Sequence, residues 1–255
     1  MVKGLYTAAT GMNVQAKRLE VISNDLANTT TTGYKRDVAV VASFGDVLMA
    51  RLDDTQKNIP NERNIGQMTY GAKVEEVYTD FTQGSIIPTG EKTDLAIQGD
   101  GFFVVQTPNG VGYTRDGGFS IDQTGTLVTK EGYPVQGTNG PISLGEEFLS
   151  TKGEIVVGKK GELTVNGELI DNLRVVQFQD NANMDKLADN LYTSNEPEVE
   201  FEGTLIQGYL ESANVNPVTA MVDMITVSRA YETNQKMIQT QNDLLGKTVN
   251  ELGRG

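Results

Sequence analysis

The sequence predicts an α+β protein in which paired N- and C-terminal heptad helices, coiled-coil-like, flank an antiparallel all-β middle domain with an extended β stem. Three observations carry that reading. Leu5, Met12, Leu19 and Leu26 recur every seven residues near the start of the chain. Met224, Tyr231, Ile238, Leu245 and Leu252 recur in the same way near its end. Between them, 17 of the 28 glycines fall within residues 84–167, where they separate short apolar runs.

The first repeat predicts a helix from about Lys3 to Asn28, with Ala8 and Ile22 at the intermediate positions and Gln15 as the polar exception. The run Asn28-Thr29-Thr30-Thr31-Thr32-Gly33 ends it, because β-branched threonines and a glycine favour extended or turning backbone. The closing helix is expected to begin after Pro217, which suits a first turn, with Asn216 before it as the cap. It runs about 35 residues, roughly 52 Å at 1.5 Å per residue. Its companion row reads Ala220, Val227, Asn234, Gln241, Thr248. A seam that long and narrow calls for another helix, and the opposite end of the chain supplies one. The helix-pairing and assembly set is therefore Leu5, Met12, Leu19, Ile22, Leu26, Met224, Tyr231, Ile238, Leu245 and Leu252.

In the middle, Phe102-Phe103-Val104-Val105, Ile155-Val156-Val157, Leu163-Thr164-Val165 and Leu173-Arg174-Val175-Val176 read as short strands. Asn109-Gly110, Asn139-Gly140 and Asn166-Gly167 read as turns between them. The domain layout is then residues 1–36 for the N-terminal helix, 37–93 for a partly extended stem, and 94–193 for the β domain. Residues 194–212 form a return stem, and 213–255 a C-terminal helix pairing with 1–30.

Composition narrows the chemistry. The 255 residues contain no cysteine and no histidine, which removes disulfides, thiolate metal sites and the commonest general base. The net charge is −13, and residues 37–211 alone carry −16. Nucleic acid and anionic lipid both require cationic surface, so neither is an expected partner. No run approaches the roughly 18 apolar residues of a membrane span, and the N-terminus lacks the apolar core of a cleaved signal. Gly99-Asp100-Gly101, Gly158-Lys159-Lys160-Gly161 and Asp122-Gln123-Thr124-Gly125 each read as turns rather than ligand loops. The carboxylate pairs Asp53-Asp54, Glu75-Glu76 and Glu146-Glu147 give no sign of converging on one cleft. No catalytic, cofactor or metal residue is expected.

Two stretches, "SNDLANTTTTGYKR" at the end of the first helix and "SANVNPVTAMVDMITVSRAYETNQ" at the start of the last, resemble the signatures of the bacterial flagellar axial proteins. The first supplies Ala27, Asn28, Thr31, Gly33, Tyr34 and Lys35 of the N-terminal signature. The second supplies Asn214, Val215, Asn216, Arg229, Ala230, Tyr231 and Glu232 of the C-terminal one. The block Gly99–Gly137 is similar to the family's β domain. Length and layout resemble the rod subunits. The resemblance implies a structural, non-enzymatic subunit exported by the flagellar type III apparatus without signal cleavage. It implies a helical homopolymer around a central channel, in contact with neighbouring rod and hook proteins, in the basal body. It implies a drive shaft from motor to hook.

A second reading is a non-flagellar β-domain binding protein or carbohydrate-active enzyme whose helical ends oligomerise. That reading requires a cleft with converging polar groups in the β domain. A cell-surface adhesin, a third possibility, would not need two heptad-patterned ends. Apolar residues off the seam (Val14, Val21, Met221, Val222, Ile225, Val249) are expected to need neighbouring subunits, leaving the ends mobile until assembly.

Overall fold

The computed structural model describes residues 2–44, 47–51, 63–69, 71–145, 153–187 and 190–252, and the chain is α+β. It divides into two compact units. One comprises Met1–Leu26, Asp37–Tyr78 and Pro217–Gly255, and the other Ala27–Arg36 and Thr79–Asn216.

The helical unit holds α1 (Val2–Ala27) and α2 (Pro217–Leu252). On α2 the less exposed positions are Ala220, Met224, Val227, Tyr231, Asn234, Ile238, Gln241, Leu245 and Thr248, in steps of four and three residues, with Ser228 and Ala230 beside that row. The exposure of Leu252, the last helical residue, lies outside the described residues. On α1 Leu5, Met12, Leu19, Ile22 and Leu26 are half-buried, while Ala8 and Val14 are buried. Val14 is thus covered within its own unit, contrary to the expectation that it awaits a neighbour. Met221, Val222, Ile225 and Val249 do stand exposed.

The two helices approach each other antiparallel at a pair of glycines. A Cβ on Gly4 would lie 3.5 Å from the Gln241 side-chain nitrogen, and one on Gly11 would lie 3.2 Å from that of Asn234. Asn234 and Gln241 of the companion row are therefore accommodated where the facing helix has no side chain. Threonines in α2 are tolerated because Thr226, Thr233, Thr240 and Thr248 donate back to the carbonyls of Val222, Arg229, Lys236 and Leu244.

The same unit contains two strand pairs. Asp37–Ser43 pairs with Ala72–Thr79, and Val47–Arg51 pairs antiparallel with Arg63–Met68. The Asp53-Asp54 pair and the Glu146-Glu147 pair fall outside the described residues.

The β unit is built on a six-stranded antiparallel sheet. Its spatial order is Asp185–Lys186, Leu191–Thr193, Gly110–Thr114, Phe102–Thr107, Val175–Gln177, Val199–Glu200. Both faces of the central strand are covered, which explains its uninterrupted apolar run. Phe103 and Val105 point into a core with Leu95, Ile97, Phe119 and Val135. Phe102 and Val104 point the other way, among Tyr113, Val176, Phe178 and Tyr192. Phe81 closes that side, edge-on to Phe102 at 5.5 Å and to Tyr192 at 5.1 Å.

A three-stranded sheet of Ile155–Val157, Glu162–Val165 and Glu168–Asn172 adds Ile155, Leu163 and Val165 to the first core. Its second turn is Asn166-Gly167, with φ of 53° and 89°. This is the doubly positive pair of a tight hairpin, which glycine and asparagine tolerate best. Gly158–Gly161 forms the other turn, closed by Gly161 N–H to Gly158 O at 3.1 Å. The returning chain pairs Thr204–Gln207 with Leu95–Gln98 and Tyr209–Glu211 with Ile86–Pro88. The stem stretch 37–93 thus meets the return segment through Ile86–Pro88, while its Ala72–Thr79 strand pairs with Asp37–Ser43 in the helical unit.

Candidate functional site

Three stretches far apart in sequence meet inside the β unit: residues 27–36, 79–85 and 211–216. The first turns immediately after α1. Thr31 N–H bonds Asn28 O at 3.1 Å, and the Thr31 hydroxyl donates to the Asn28 side chain at 3.1 Å. Thr32 then anchors the stretch to the sheet. Its hydroxyl donates to Asp116 Oδ1 at 2.6 Å and accepts from Lys130 Nζ at 2.7 Å, while Asn190 Nδ2 donates to its carbonyl at 2.9 Å.

Gly33 follows with φ of 67°, and a Cβ there would lie 2.4 Å from Asp116 N and 2.5 Å from Arg115 C. Both the backbone conformation and the lack of room demand glycine. Gly33 N–H in turn donates to Glu211 O at 2.8 Å. Tyr34 is buried beneath the Lys186 ammonium, which sits 4.3 Å above its ring and donates to Lys35 O at 3.1 Å.

Lys35 is fully buried. Its ammonium donates to Glu211 Oε1 at 2.6 Å and to Thr82 O at 2.8 Å. Burial pushes its pKa down, and the Glu211 carboxylate opposes that shift. The same Oε1 accepts Gly84 N–H at 2.7 Å. Asn214 completes the junction. Its Nδ2 donates to Asp80 O at 2.7 Å and to Thr82 O at 3.1 Å, while its Oδ1 accepts Arg36 N–H at 2.8 Å. Arg36 pairs with Asp80 at 2.8 Å. Burial of the Asp80 carboxyl raises its pKa. The Thr82 N–H and Arg36 bonds outweigh this and hold it below the usual carboxylate range.

The junction therefore brings together Asn28, Thr31, Gly33, Tyr34, Lys35 and Asn214 of the sequence-expected set. Ala27 is the last residue of α1, and Val215 and Asn216 lead into α2. Arg229, Ala230, Tyr231 and Glu232 lie along α2 in the helical unit and take no part. Sequence reasoning missed Asp80, Thr82, Gly84, Arg115, Asp116 and Glu211. Nothing in their spacing marks them, since each partner is supplied by a distant stretch of chain. The chemistry of the junction is that of fastening: Lys35 is paired with Glu211, Arg36 with Asp80, and the Asn214 amide with the backbone on either side. Among the described residues no three His, Cys, Asp or Glu side chains could hold a metal ion.

Comparison with known proteins agrees with this layout. Residues 5–35 match the family model for flagella basal body rod protein. Residues 96–165 match the flagellar hook protein FlgE/F/G D1 domain, and residues 206–252 match the flagellar basal body rod FlgEFG protein C-terminal model. The flagellar basal-body rod protein FlgG of Buchnera aphidicola subsp. Acyrthosiphon pisum is 35% identical over 261 residues, covering 97% of this chain and 98% of its own. FlgG of Agrobacterium fabrum is 34% identical, with 95% and 97% covered. The flagellar hook-basal body complex protein FlhO of Bacillus subtilis is 30% identical over the full length of both chains. The chain belongs to the flagellar basal-body rod protein family.

Proposed function

We propose that the chain is a structural subunit of the bacterial flagellar rod, polymerising helically into a shaft that carries torque from motor to hook around an export channel. The observation that carries the reading is the convergence of the two terminal signatures: Lys35 of the first reaches the segment leading to Asn214 of the second, and both brace the β unit. Relatives aligned over nearly the whole chain are named as rod proteins, which supports a structural rather than catalytic role.

In this reading α1 and α2 form a coiled-coil-like pair, with the set from Leu5 to Leu252 as the seam between them and with neighbouring copies. The exposed stripe Val218, Met221, Val222 and Ile225 falls at i, i+3, i+4 and i+7, on the side of α2 away from Ala220, Met224 and Val227. Contacts that do not close on themselves extend such copies into a filament. Partners are further copies and adjoining rod and hook proteins. The chain reaches the basal body through the flagellar export apparatus without signal cleavage. No described helix is long and apolar enough to cross a membrane.

The enzyme alternative gains little support. A groove of about 400 Å3 is lined by Thr10, Val14, Phe44 and residues 72–77 in the helical unit, not in the β domain where that reading requires a cleft.

Electron microscopy of concentrated protein tests the proposal, with straight tubes of uniform diameter expected. Removing residues 1–30 should abolish both the tubes and motility. Motility that survives that deletion would overturn the reading.

A further inference from the structure

The β unit buries an unbalanced set of charges. Lys35, Arg115 and Glu211 have side chains 0%, 0% and 1% exposed, so two cations share one buried carboxylate. Glu211 Oε1 takes the Lys35 ammonium and the Gly84 N–H. Its Oε2 stands 3.6 Å from Arg115 Nη1, beyond hydrogen-bond reach. Arg115 itself donates from Nη1 to Gly99 O at 2.9 Å, and its guanidinium lies 5.0 Å from the Phe102 ring centroid. Its Nε and Nη2, and Glu211 Oε2, have no hydrogen-bond partner among the described residues.

Other charged groups nearby do not replace Glu211. Asp100 is 3.8 Å from Arg115 Nη2 but its side chain is 69% exposed, and Asp80 is bonded to Arg36. Among the described residues of the β unit, Glu211 is the one buried carboxylate. The three groups come from three places: the stretch after α1, the end of the strand Gly110–Thr114, and the last strand of the unit, Tyr209–Glu211.

We propose that Glu211 gates the closure of the whole β unit. Residues 27–210 place two cations in the interior, and their counter-ion arrives only with the strand Tyr209–Glu211. A buried cation without its partner is far more costly than a buried pair is beneficial, so removing one partner of such a pair is strongly destabilising. The sheet built around Phe102–Thr107 therefore cannot settle until a residue more than a hundred positions later has docked. An N-terminal stretch delivered first stays open, and the last strand converts it. This inference concerns folding alone and holds whether or not the chain forms a filament.

Hydrogen exchange on the full-length chain tests it, because amide protection reads the opening free energy segment by segment. Glu211→Gln keeps the shape and the acceptor for Gly84 but removes the charge. The expected result is loss of protection by about a hundredfold or more at the amides of Phe102–Thr107 as well as at Tyr209–Glu211. Adding Lys35→Met returns the buried charge to its original net value and should recover most of that protection, even if the single variant does not fold. Loss confined to Tyr209–Glu211, with Phe102–Thr107 unchanged, would overturn the gate. Failure of Lys35→Met to recover protection would overturn its electrostatic basis.

Discussion

Gly11 of α1 lies opposite Asn234 of α2, so close that a Cβ on the glycine would be 3.2 Å from the amide nitrogen. Glycine inside a helix costs about 0.5–1 kcal/mol relative to alanine. Here it allows a polar side chain to sit on the inner face of the helical unit. Gly11→Leu should therefore wedge the helices apart and cost about 1–3 kcal/mol through overpacking. Thermal unfolding followed by helix circular dichroism checks this. Gly11→Leu combined with Asn234→Ala should regain part of the loss, since the cavity and the excess volume then match.

Gly33 is limited by room as well as by conformation. Gly33→Ala should destabilise the β unit by about 3 kcal/mol or more in urea unfolding, combining strain at positive φ with a backbone collision. Gly33→Asn separates the two causes. Asparagine tolerates the left-handed region, yet its Cβ would still lie against Asp116 N and Arg115 C. It should fare no better than alanine.

Asn214 uses both ends of its amide. Asn214→Ala leaves Arg36 N–H and the Asp80 carbonyl without their partner and should cost about 2 kcal/mol. Asn214→Asp keeps the acceptor for Arg36 N–H but replaces the donor with an anion facing Asp80 and Thr82 carbonyls. It should be worse than alanine above the carboxylate pKa and recover as acid protonates it. Urea midpoints at neutral and acidic pH distinguish the two.

Tyr113 gives a pH signature at the alkaline end. Burial, together with its 2.9 Å bond to Glu198, pushes its pKa from 10.0 to about 12. The folded state therefore holds this proton where the unfolded state has released it. The contribution is complete below pH 10 and is lost as pH rises from about 10 to about 12. Melting temperature should fall across that window in the native protein. The fall should be shallower in Tyr113→Phe, which has no proton to lose.

Local features were readable in the chain. Asn166-Gly167 announces its hairpin because two adjacent residues tolerate positive φ, and both adopt it. Phe102–Val105 reads as a short strand, and the structure shows its four apolar residues divided between two buried faces. Helix limits are written in Pro217 and in the threonines after Ala27. The junction is different in kind. Lys35 and Glu211 are 176 residues apart, and Arg115 follows Tyr113-Thr114 as though it were an ordinary strand-end cation. Hydropathy patterning places such residues at the surface, because their burial depends on partners that local sequence does not contain. The resemblance singled out Lys35 and Asn214 but said nothing of what they hold.

Asn214 has a mechanical corollary. It bonds Arg36 on one side and Asp80 and Thr82 on the other, beside three of the four places where the backbone leaves the β unit. Traction on any one of those segments would be shared with the other two through the Asn214 amide. A component stressed in alternating directions gains from such lateral sharing, because no single exit has to carry the load alone.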